Sequence, residues 1–233
     1  MSPRRPCIAI DGPVGAGKST IARLVAGRLG FSYIDSGAMY RALAWAARRQ
    51  GIRPAETERV LGLLGGLRIR LEPQPEGANR VLVDDHDVTD EIRTQEIGEL
   101  ASQLSEIPGV RRRMVALQQE MAQAGGVVME GRDIQTVVLP DAEVKIFLTA
   151  PAEERARRRL LELQARRHTA SFEAVLAEIT GRDQRDSTRA DSPLRPAPDA
   201  VNVDTGGLTI EQVVERVLEI VRARQGGEPG RRG

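Results

Sequence analysis

The chain has 233 residues, 40% of them hydrophobic and 29% charged, which is typical of a soluble globular protein with one α/β domain carrying insertions or two small domains. Its 34 basic and 33 acidic residues give a formal net charge of +1, so the total charge gives no reason to expect a nucleic-acid or membrane partner. The one cysteine, Cys7, excludes an intramolecular disulfide and a zinc site made of several cysteines. No apolar run is long enough for a secretory or membrane-spanning segment, so we expect a cytoplasmic protein.

A phosphate-binding motif follows the first apolar run. Residues Cys7 to Ile10 predict a buried strand, and from Gly12 the sequence fits G-x-x-x-x-G-K-[ST] before a helix with apolar periodicity begins. Backbone N–H groups of such a loop point into one concavity, and the following helix adds the positive end of its dipole. We therefore expect it to bind a nucleoside triphosphate, with Lys18 on the β and γ phosphates and the Ser19 hydroxyl at a Mg²⁺ position. The predicted loop comprises Gly12, Pro13, Val14, Gly15, Ala16, Gly17, Lys18, Ser19 and Thr20.

A helix, a strand and a second helix follow this loop. The helix of residues 18–30 ends at Gly30, residues 31–34 predict a strand, and Ser36 is the expected N-cap of the next helix. Asp35 lies at the carboxyl end of that strand, where ligands bind in open α/β sheets. Two roles are open for Asp35: it holds a water on Mg²⁺, or it stabilises the helix terminus.

The middle of the chain changes from a helical to a short-strand pattern. Residues 67–71 and 80–84 predict two strands of an inserted antiparallel subdomain. Helical spacing returns in residues 92–104 and 109–124. Two helices are therefore expected after these strands.

Charged residues follow the next buried strand, residues 127–129, without a break. The segment Glu130-Gly131-Arg132-Asp133 thus lies at the carboxyl end of a predicted parallel strand, where active sites of this architecture are found. Another strand is predicted at residues 144–148. We expect the charged segment to belong to a functional site.

An arginine-rich helical hairpin is predicted next, over residues 153–167 and 172–189. Within it, Arg182, Arg185 and Arg189 are spaced so that they share one helical face. Two interpretations are open: a solvent-exposed face with salt bridges to neighbouring acidic residues, or a mobile lid that presents guanidinium groups to phosphates. The chain is then predicted to end in a strand at residues 200–203 and a helix that begins with a capping box.

Several motifs, taken in their order along the chain, resemble those of bacterial cytidylate kinases. The motifs that carry the resemblance are Asp11-Gly12-Pro13, Gly17-Lys18-Ser19-Thr20, Asp35-Ser36-Gly37-Ala38-Met39-Tyr40-Arg41, Ile92-Arg93-Thr94-Gln95-Glu96, Gly131-Arg132-Asp133, Val144-Lys145-Ile146-Phe147-Leu148, Arg182-Asp183, Arg185-Asp186 and Arg189. The resemblance covers nearly the whole chain. It implies an enzyme, usually monomeric, that transfers a phosphoryl group from ATP to CMP or dCMP with the help of Mg²⁺.

The resemblance also implies a fold and its division. The fold is an α/β, P-loop, three-layer fold with a five-stranded parallel sheet, an inserted small antiparallel β subdomain and a helical lid. A single nucleoside monophosphate kinase domain would span residues 1–224, followed by a disordered tail at 225–233. Its parts would be a core (residues 1–55, 105–150 and 190–224), a monophosphate-binding subdomain (56–104) and a lid (151–189).

The resemblance assigns the nucleoside part of CMP to residues of this chain. Cytosine recognition falls to Ser102, Arg111 and Asp133. The chemistry agrees, because a carboxylate accepts a hydrogen bond from the N4 amino group of cytosine, whereas uracil has a carbonyl there. Arg182 and Asp186 would contact the sugar.

The remaining roles concern phosphates and metal. The residues implied for the acceptor phosphate are Ser36, Arg41, Arg132 and Arg189, and Tyr40 is also counted among the substrate-binding residues. The catalytic residues implied are Lys18, Arg132 and Arg189. Ser19 and Asp35 would hold the metal. Two positions depart from the family pattern, Glu130 where many relatives carry Asp and Gln135 where Gly is common, and the second predicts a different shape at the lip of the site.

Other P-loop functions fit the sequence less well. A GTPase switch needs an Asn-Lys-x-Asp motif, and neither Lys18 nor Lys145 lies in one. A nucleic-acid ATPase would need a stacking groove, whereas aromatic residues make up only 3% of this chain. Kinases of AMP or of other small acceptors remain open.

Overall fold

A parallel sheet of five strands forms the centre of the protein, as the family resemblance implies. The computed structural model describes residues 5–74, 78–165 and 169–226. The strands in chain order are β1 (Cys7–Asp11), β2 (Ser32–Asp35), β3 (Ile69–Glu72), β4 (Arg80–Val83), β5 (His86–Asp87), β6 (Val127–Gly131), β7 (Val144–Thr149) and β8 (Val201–Asp204). The central sheet has the order β2-β6-β1-β7-β8, and every neighbouring pair in it is parallel. The phosphate-binding loop therefore leaves the carboxyl end of the middle strand.

Helices connect these strands. In chain order they are α1 (Lys18–Leu29), α2 (Ser36–Arg49), α3 (Thr57–Gly66), α4 (Gln95–Leu104), α5 (Pro108–Ala122), α6 (Ala152–Ala165), α7 (Phe172–Thr188) and α8 (Ile210–Gly226). None of the helices in the described ranges is long and apolar enough to cross a membrane. A π-helical turn, Ile134–Val138, follows β6 directly and was not predicted.

The side chains of β1 alternate between two hydrophobic clusters. Ile8 and Ile10 pack with residues of α1 and α8 on one face of the sheet, whereas Cys7 and Ala9 pack towards α5 on the other. Successive side chains of a strand point to opposite faces, so a strand that is apolar at every position is buried on both. The result is the three-layer arrangement, and it holds the start of the phosphate-binding loop firmly in the core.

The short strands in the middle of the chain form a separate antiparallel sheet, β3-β4-β5. The helix before it, α3, was not predicted, because glycines interrupt its run and lower its helix propensity. The buried Asn79 side chain of this insertion donates a hydrogen bond of 3.0 Å to the carbonyl oxygen of Tyr33 on β2. The insertion thereby covers an edge strand of the central sheet, which would otherwise expose unpaired backbone groups.

The arginine-rich hairpin of α6 and α7 has a small hydrophobic cluster of its own. The cluster consists of Ala156, Leu163, Val175 and Ile179, with Val14 packed against it. The guanidinium of Arg155 joins the same elements, since it donates to the carbonyl oxygen of Val14 at 2.9 Å and to the carboxylate of Asp183 at 2.6 Å. The base of the hairpin is thus attached to the phosphate-binding loop.

Two predicted helix starts are wrong. Asp35, and not Ser36, is the N-cap of α2, because its carboxylate accepts a hydrogen bond of 2.8 Å from the Ala38 N–H. The helix predicted over residues 92–104 is divided at Thr94, whose hydroxyl caps α4. In both cases a side chain one or more residues away from the expected boundary takes the capping position.

The end of the chain agrees with its prediction only in part. The capping box at the start of α8 is confirmed, because the Gln212 side chain accepts from the Thr209 N–H and the Thr209 hydroxyl accepts from the Gln212 N–H. Residues 225 and 226 continue α8, so they do not belong to a disordered tail. The rest of the predicted tail, residues 227–233, lies outside the described residues.

We expect the Gly12→Ala substitution to lower the free energy of unfolding by at least about 2 kcal/mol, as measured by chemical denaturation. Gly12 has a φ of +153°, and an added Cβ would lie 2.1 Å from the carbonyl oxygen of Leu148. The matched control is Gly27→Ala in α1, where a Cβ meets no atom within 4 Å and the change should stabilise by about 0.5–1 kcal/mol. Equal effects of the two substitutions would contradict this account.

Candidate active site

The phosphate-binding loop curls back on its lysine. Gly17 is the N-cap of α1 and has a φ of 88°, a conformation that favours glycine. The Lys18 ammonium group is buried and donates a hydrogen bond of 2.8 Å to the carbonyl oxygen of Pro13. Burial, reinforced by the nearby positive charge of Arg132, lowers the pKa of Lys18 to about 7. The loop thus holds an ammonium group whose charge is poorly compensated.

Ser19 and Glu130 meet beside the loop. The Ser19 hydroxyl donates a hydrogen bond of 2.5 Å to the carboxylate of Glu130, which also accepts from the Tyr33 hydroxyl at 3.2 Å. Among the described residues, no group of three or more acidic, His or Cys side chains is arranged to hold a metal ion. A hydroxyl and a carboxylate oxygen are nevertheless what Mg²⁺ requires of a protein when phosphates and waters supply its other ligands. The pair fits such an ion.

Asp35 holds two arginines. Its carboxylate accepts from Arg41 at 3.0 Å and from Arg93 at 3.1 Å, besides capping α2. Burial alone would raise the pKa of Asp35, but the two guanidinium groups hold it below its usual value. Both carboxylate oxygens are therefore engaged by N–H donors. These contacts match the helix-terminus interpretation of Asp35, and its other predicted role, holding a water on Mg²⁺, stays a prediction.

Asp186 of α7, like Asp35, pairs with two arginines. It accepts a hydrogen bond of 2.8 Å from Nε of Arg132 and lies 3.8 Å from the guanidinium of Arg189. Burial would raise the pKa of Asp186, but Arg132 and Arg182 hold it below its usual value. Burial together with the charge of Arg132 lowers the pKa of Arg182 to about 10. The arginines around Asp186 therefore carry more positive charge than this one carboxylate neutralises.

Another ion pair, Arg111–Asp133, lines the same cavity. The buried Arg111 guanidinium donates to the carboxylate of Asp133, and to the carbonyl oxygen of Ser105 at 3.3 Å. Tyr40 lies near this pair, and burial raises the pKa of its hydroxyl to about 12. Ser102 is buried on α4 and lines the same part of the cavity. These groups offer both donors and acceptors to a ligand.

One cavity of about 610 Å³ connects all of these groups. The predicted loop, metal and substrate residues all line it except Gly12 and Pro13. Five buried guanidinium nitrogens of the lining residues have no hydrogen-bond partner among the described residues, namely Nε of Arg41, Nη2 of Arg93, Nε of Arg111, Nε of Arg182 and Nη2 of Arg189. Buried donors without partners are costly, so the cavity is suited to an anion that accepts from several guanidinium groups.

Some residues at the site were not given a role by the sequence, or were placed differently. Arg93 lines the cavity, and the signal for it was its place in the Ile92–Glu96 motif. Gln135 does not shape the lip of the site: its buried side chain donates to the carbonyl oxygen of Ile146 at 3.4 Å and accepts from the Ala197 N–H at 3.0 Å. It joins segments behind the site instead.

The two interpretations of the arginine face on α7 both describe part of it. Arg182 and Arg189 line the cavity, as a phosphate-binding face requires. Arg185 instead forms a salt bridge of 2.9 Å with Glu99 of α4, with both side chains partly exposed. Gln95 of α4 makes a second contact to α7, since its side chain donates to Glu178 at 2.8 Å. The face thus serves the cavity and joins α7 to the insertion.

Comparison with known proteins gives a consistent family. The family model described as Cytidylate kinase matches residues 8–223. A cytidylate kinase from Geobacillus thermodenitrificans is 52% identical over 223 residues, covering 96% of this chain and 99% of the relative. One from Pelotomaculum thermopropionicum is 51% identical and covers 94% and 96%. An uncharacterized protein of known structure from Eubacterium ventriosum is 10% identical, has a TM-score of 0.53 and covers 94% of this chain and 99% of its own, which shows the fold alone.

We expect Asp35→Asn to lower the free energy of unfolding by about 2–4 kcal/mol, because it leaves Arg41 and Arg93 without their shared counter-charge while an amide can still cap α2. The matched control is Asp85→Asn: Asp85 also pairs with two arginines, at 2.7 and 2.9 Å, but its side chain is 61% exposed. That change should cost less than about 1 kcal/mol. Urea unfolding of both variants at neutral pH provides the measurement, and a loss for Asp35→Asn no larger than the control's would contradict the assignment.

Proposed function

The chain belongs to the cytidylate kinase family, and on that premise we propose that it transfers the γ-phosphoryl group of ATP to CMP or dCMP, giving ADP and CDP or dCDP. The observation that carries the proposal is the single cavity in which a phosphate-binding loop faces arginines with unpartnered N–H groups. A donor triphosphate and an acceptor monophosphate both need such positive charge. The Arg111–Asp133 pair in the same cavity supplies groups that a pyrimidine base can use.

Base selection rests on the hydrogen-bonding pattern of cytosine. Asp133 accepts from the N4 amino group, while Arg111 and Ser102 donate to its O2 and N3 acceptors. Uracil would place a carbonyl oxygen against the Asp133 carboxylate, which leaves two acceptors facing each other in a buried site. Arg182 and Asp186 are assigned to contact the sugar of the acceptor nucleotide.

Phosphoryl transfer needs no protein nucleophile. A phosphate oxygen of CMP attacks the γ phosphorus in line, the bond from that phosphorus to the β–γ bridging oxygen breaks, and ADP leaves with that oxygen. Ser36, Arg41, Arg132 and Arg189 orient the acceptor phosphate, and Lys18 neutralises charge on the donor. Arg132 and Arg189 also stabilise the charge on the phosphoryl group as it moves.

Mg²⁺ is assigned to the side of the loop where Ser19 meets Glu130. When bound there with the nucleotide, it supplies positive charge to the β and γ phosphates. Glu130 replaces the Asp that many relatives carry and keeps a carboxylate at the position. Asp35 is assigned to holding Arg41 and Arg93, which in turn face the acceptor phosphate.

The setting of the enzyme is also part of the proposal. We assign it to the cytoplasm, as a monomer acting on small-molecule substrates without a nucleic-acid or membrane partner. The near-zero net charge and the scarcity of aromatic residues support this assignment. Residues 151–189 are assigned as the lid and residues 56–104 as the monophosphate-binding subdomain.

The base assignment is tested with a panel of acceptors, CMP, dCMP, UMP, AMP and shikimate, each supplied with ATP and Mg²⁺. The unaltered protein should turn over CMP and dCMP best. Asp133→Ala should lower kcat/KM for CMP at least about tenfold, whereas Asp133→Asn, whose amide can donate to a uracil carbonyl, should shift the preference towards UMP. Thermal unfolding of each variant controls for the loss of the Arg111 partner, and an unchanged CMP-to-UMP ratio in both variants would refute the contact.

The role of Lys18 is tested through protons as well as turnover. With a pKa of about 7, the free Lys18 is largely neutral at pH 8, and nearby phosphates should raise its pKa, so ATP binding at pH 8 should take up close to one proton. Calorimetry in two buffers of different ionisation enthalpy measures this uptake. Lys18→Ala should abolish the uptake and lower kcat at least about a hundredfold while the protein still folds. Proton uptake that persists in the variant would show that another group is responsible.

A further inference from the structure

Asp11 is a completely buried carboxylate at the end of β1, next to the phosphate-binding loop but not part of its lining. Its two oxygens accept backbone hydrogen bonds from the Ile134 N–H at 3.0 Å and the Gln135 N–H at 2.9 Å. These N–H groups open the π-helical turn that follows Asp133. A side chain of β1, the strand before the phosphate-binding loop, thus binds the backbone of the segment that is proposed to recognise the base of CMP.

This contact changes what Asp133 can do. Asp133 occupies the N-cap position of the turn, yet its side chain makes no capping hydrogen bond. An aspartate at an N-cap ordinarily accepts from the N–H two or three residues on, and here the first of those belongs to Gln135. Asp11 already occupies that N–H, and the Asp133 carboxylate instead receives the guanidinium of Arg111.

We propose that Asp11 is a positioning residue for base selection: it caps the Ile134–Val138 turn in place of Asp133, and so keeps the Asp133 carboxylate free to face cytosine. This inference rests on the proposed function, because it presumes that Asp133 reads the base. It adds a residue on the donor side of the site to the determinants of acceptor specificity. The strand pairing of Asp11 with Gly131 brings the two sides close enough for this contact.

Asp11→Asn tests the proposal. The amide keeps the shape of the side chain but replaces one carboxylate oxygen with an NH₂ group, which cannot accept a hydrogen bond from the backbone N–H that it faces. Asp133 can then cap its own turn. We expect the CMP-to-UMP ratio of kcat/KM to fall about tenfold, with most of the loss in KM for CMP and with KM for ATP changed less than about twofold. The matched control is Glu143→Gln, the same acid-to-amide change at the other end of β1, where Glu143 accepts from the Cys7 N–H at 2.8 Å. It should leave the ratio unchanged.

A double-mutant cycle separates positioning from a purely structural role. If Asp11 acts through Asp133, adding Asp11→Asn to Asp133→Ala should not change the CMP-to-UMP ratio further, whereas independent effects would multiply. All kinetics are measured well below the unfolding temperature of each variant. Should Asp11→Asn not fold, Asp11→Ser, which removes the buried charge and can accept from only one N–H, is measured in the same way.

The outcomes are distinguishable from a failure of the proposed function. If the unaltered protein does not prefer CMP, the function itself and this inference both fall. Three results would overturn only this inference in a protein that prefers CMP. The Asp11 variant could keep the CMP-to-UMP ratio of kcat/KM within twofold, or it could raise KM for ATP instead of KM for CMP. In the double-mutant cycle, the effects of the two substitutions on the ratio could multiply. A lowered ratio that disappears in the Asp133→Ala background supports the inference.

Discussion

Positive charge that the protein only partly neutralises is the constraint on which this structure depends. More cations than carboxylates line the cavity: the cations are Lys18, Arg41, Arg93, Arg111, Arg132, Arg158, Arg159, Arg182 and Arg189, and the carboxylates are Asp35, Glu130, Asp133, Glu162, Glu178 and Asp186. A buried guanidinium without a counter-charge or hydrogen-bond acceptor destabilises the folded state. Sharing each of two carboxylates between arginines limits this cost, and it leaves N–H groups directed at whatever anion enters. Binding of phosphates is thereby favoured, because they supply the negative charge and the hydrogen-bond acceptors that these guanidinium groups lack in the folded protein.

The same ion pairs also connect the parts of the molecule that surround the cavity. Asp35 lies where β2 meets α2, and Arg93 belongs to the inserted segment before α4. Asp186 belongs to α7, and Arg132 follows strand β6 of the central sheet. Each of these two ion pairs therefore has two effects: it holds a guanidinium group in place, and it connects the inserted segment or α7 to the central sheet.

The sequence predicted well what depends on local pattern. The strand before Gly12 and the loop itself follow from an apolar run and from a motif whose backbone geometry is nearly invariant, whereas the five-stranded parallel sheet was implied by the family resemblance. What it could not predict are contacts between distant segments. The Asp11 carboxylate on N–H groups more than a hundred residues away, and the path of the Gln135 side chain to Ala197, leave no periodic signal. For Asp35 the sequence left two roles open, because a carboxylate at a strand end stabilises a helix terminus or holds a metal-bound water equally well until its neighbours are known.

Lys18 shows how the site limits the cost of its charge before substrate arrives. Arg132 and burial both act against its protonation, so near neutral pH the free protein holds this group with reduced average charge. Permanent cations that line one cavity repel each other, and this repulsion destabilises the folded state. A lysine can lose its proton where an arginine cannot. A nearby phosphate group favours the protonated form of a lysine, so on the proposed function the full positive charge of Lys18 is expected when the donor nucleotide is bound.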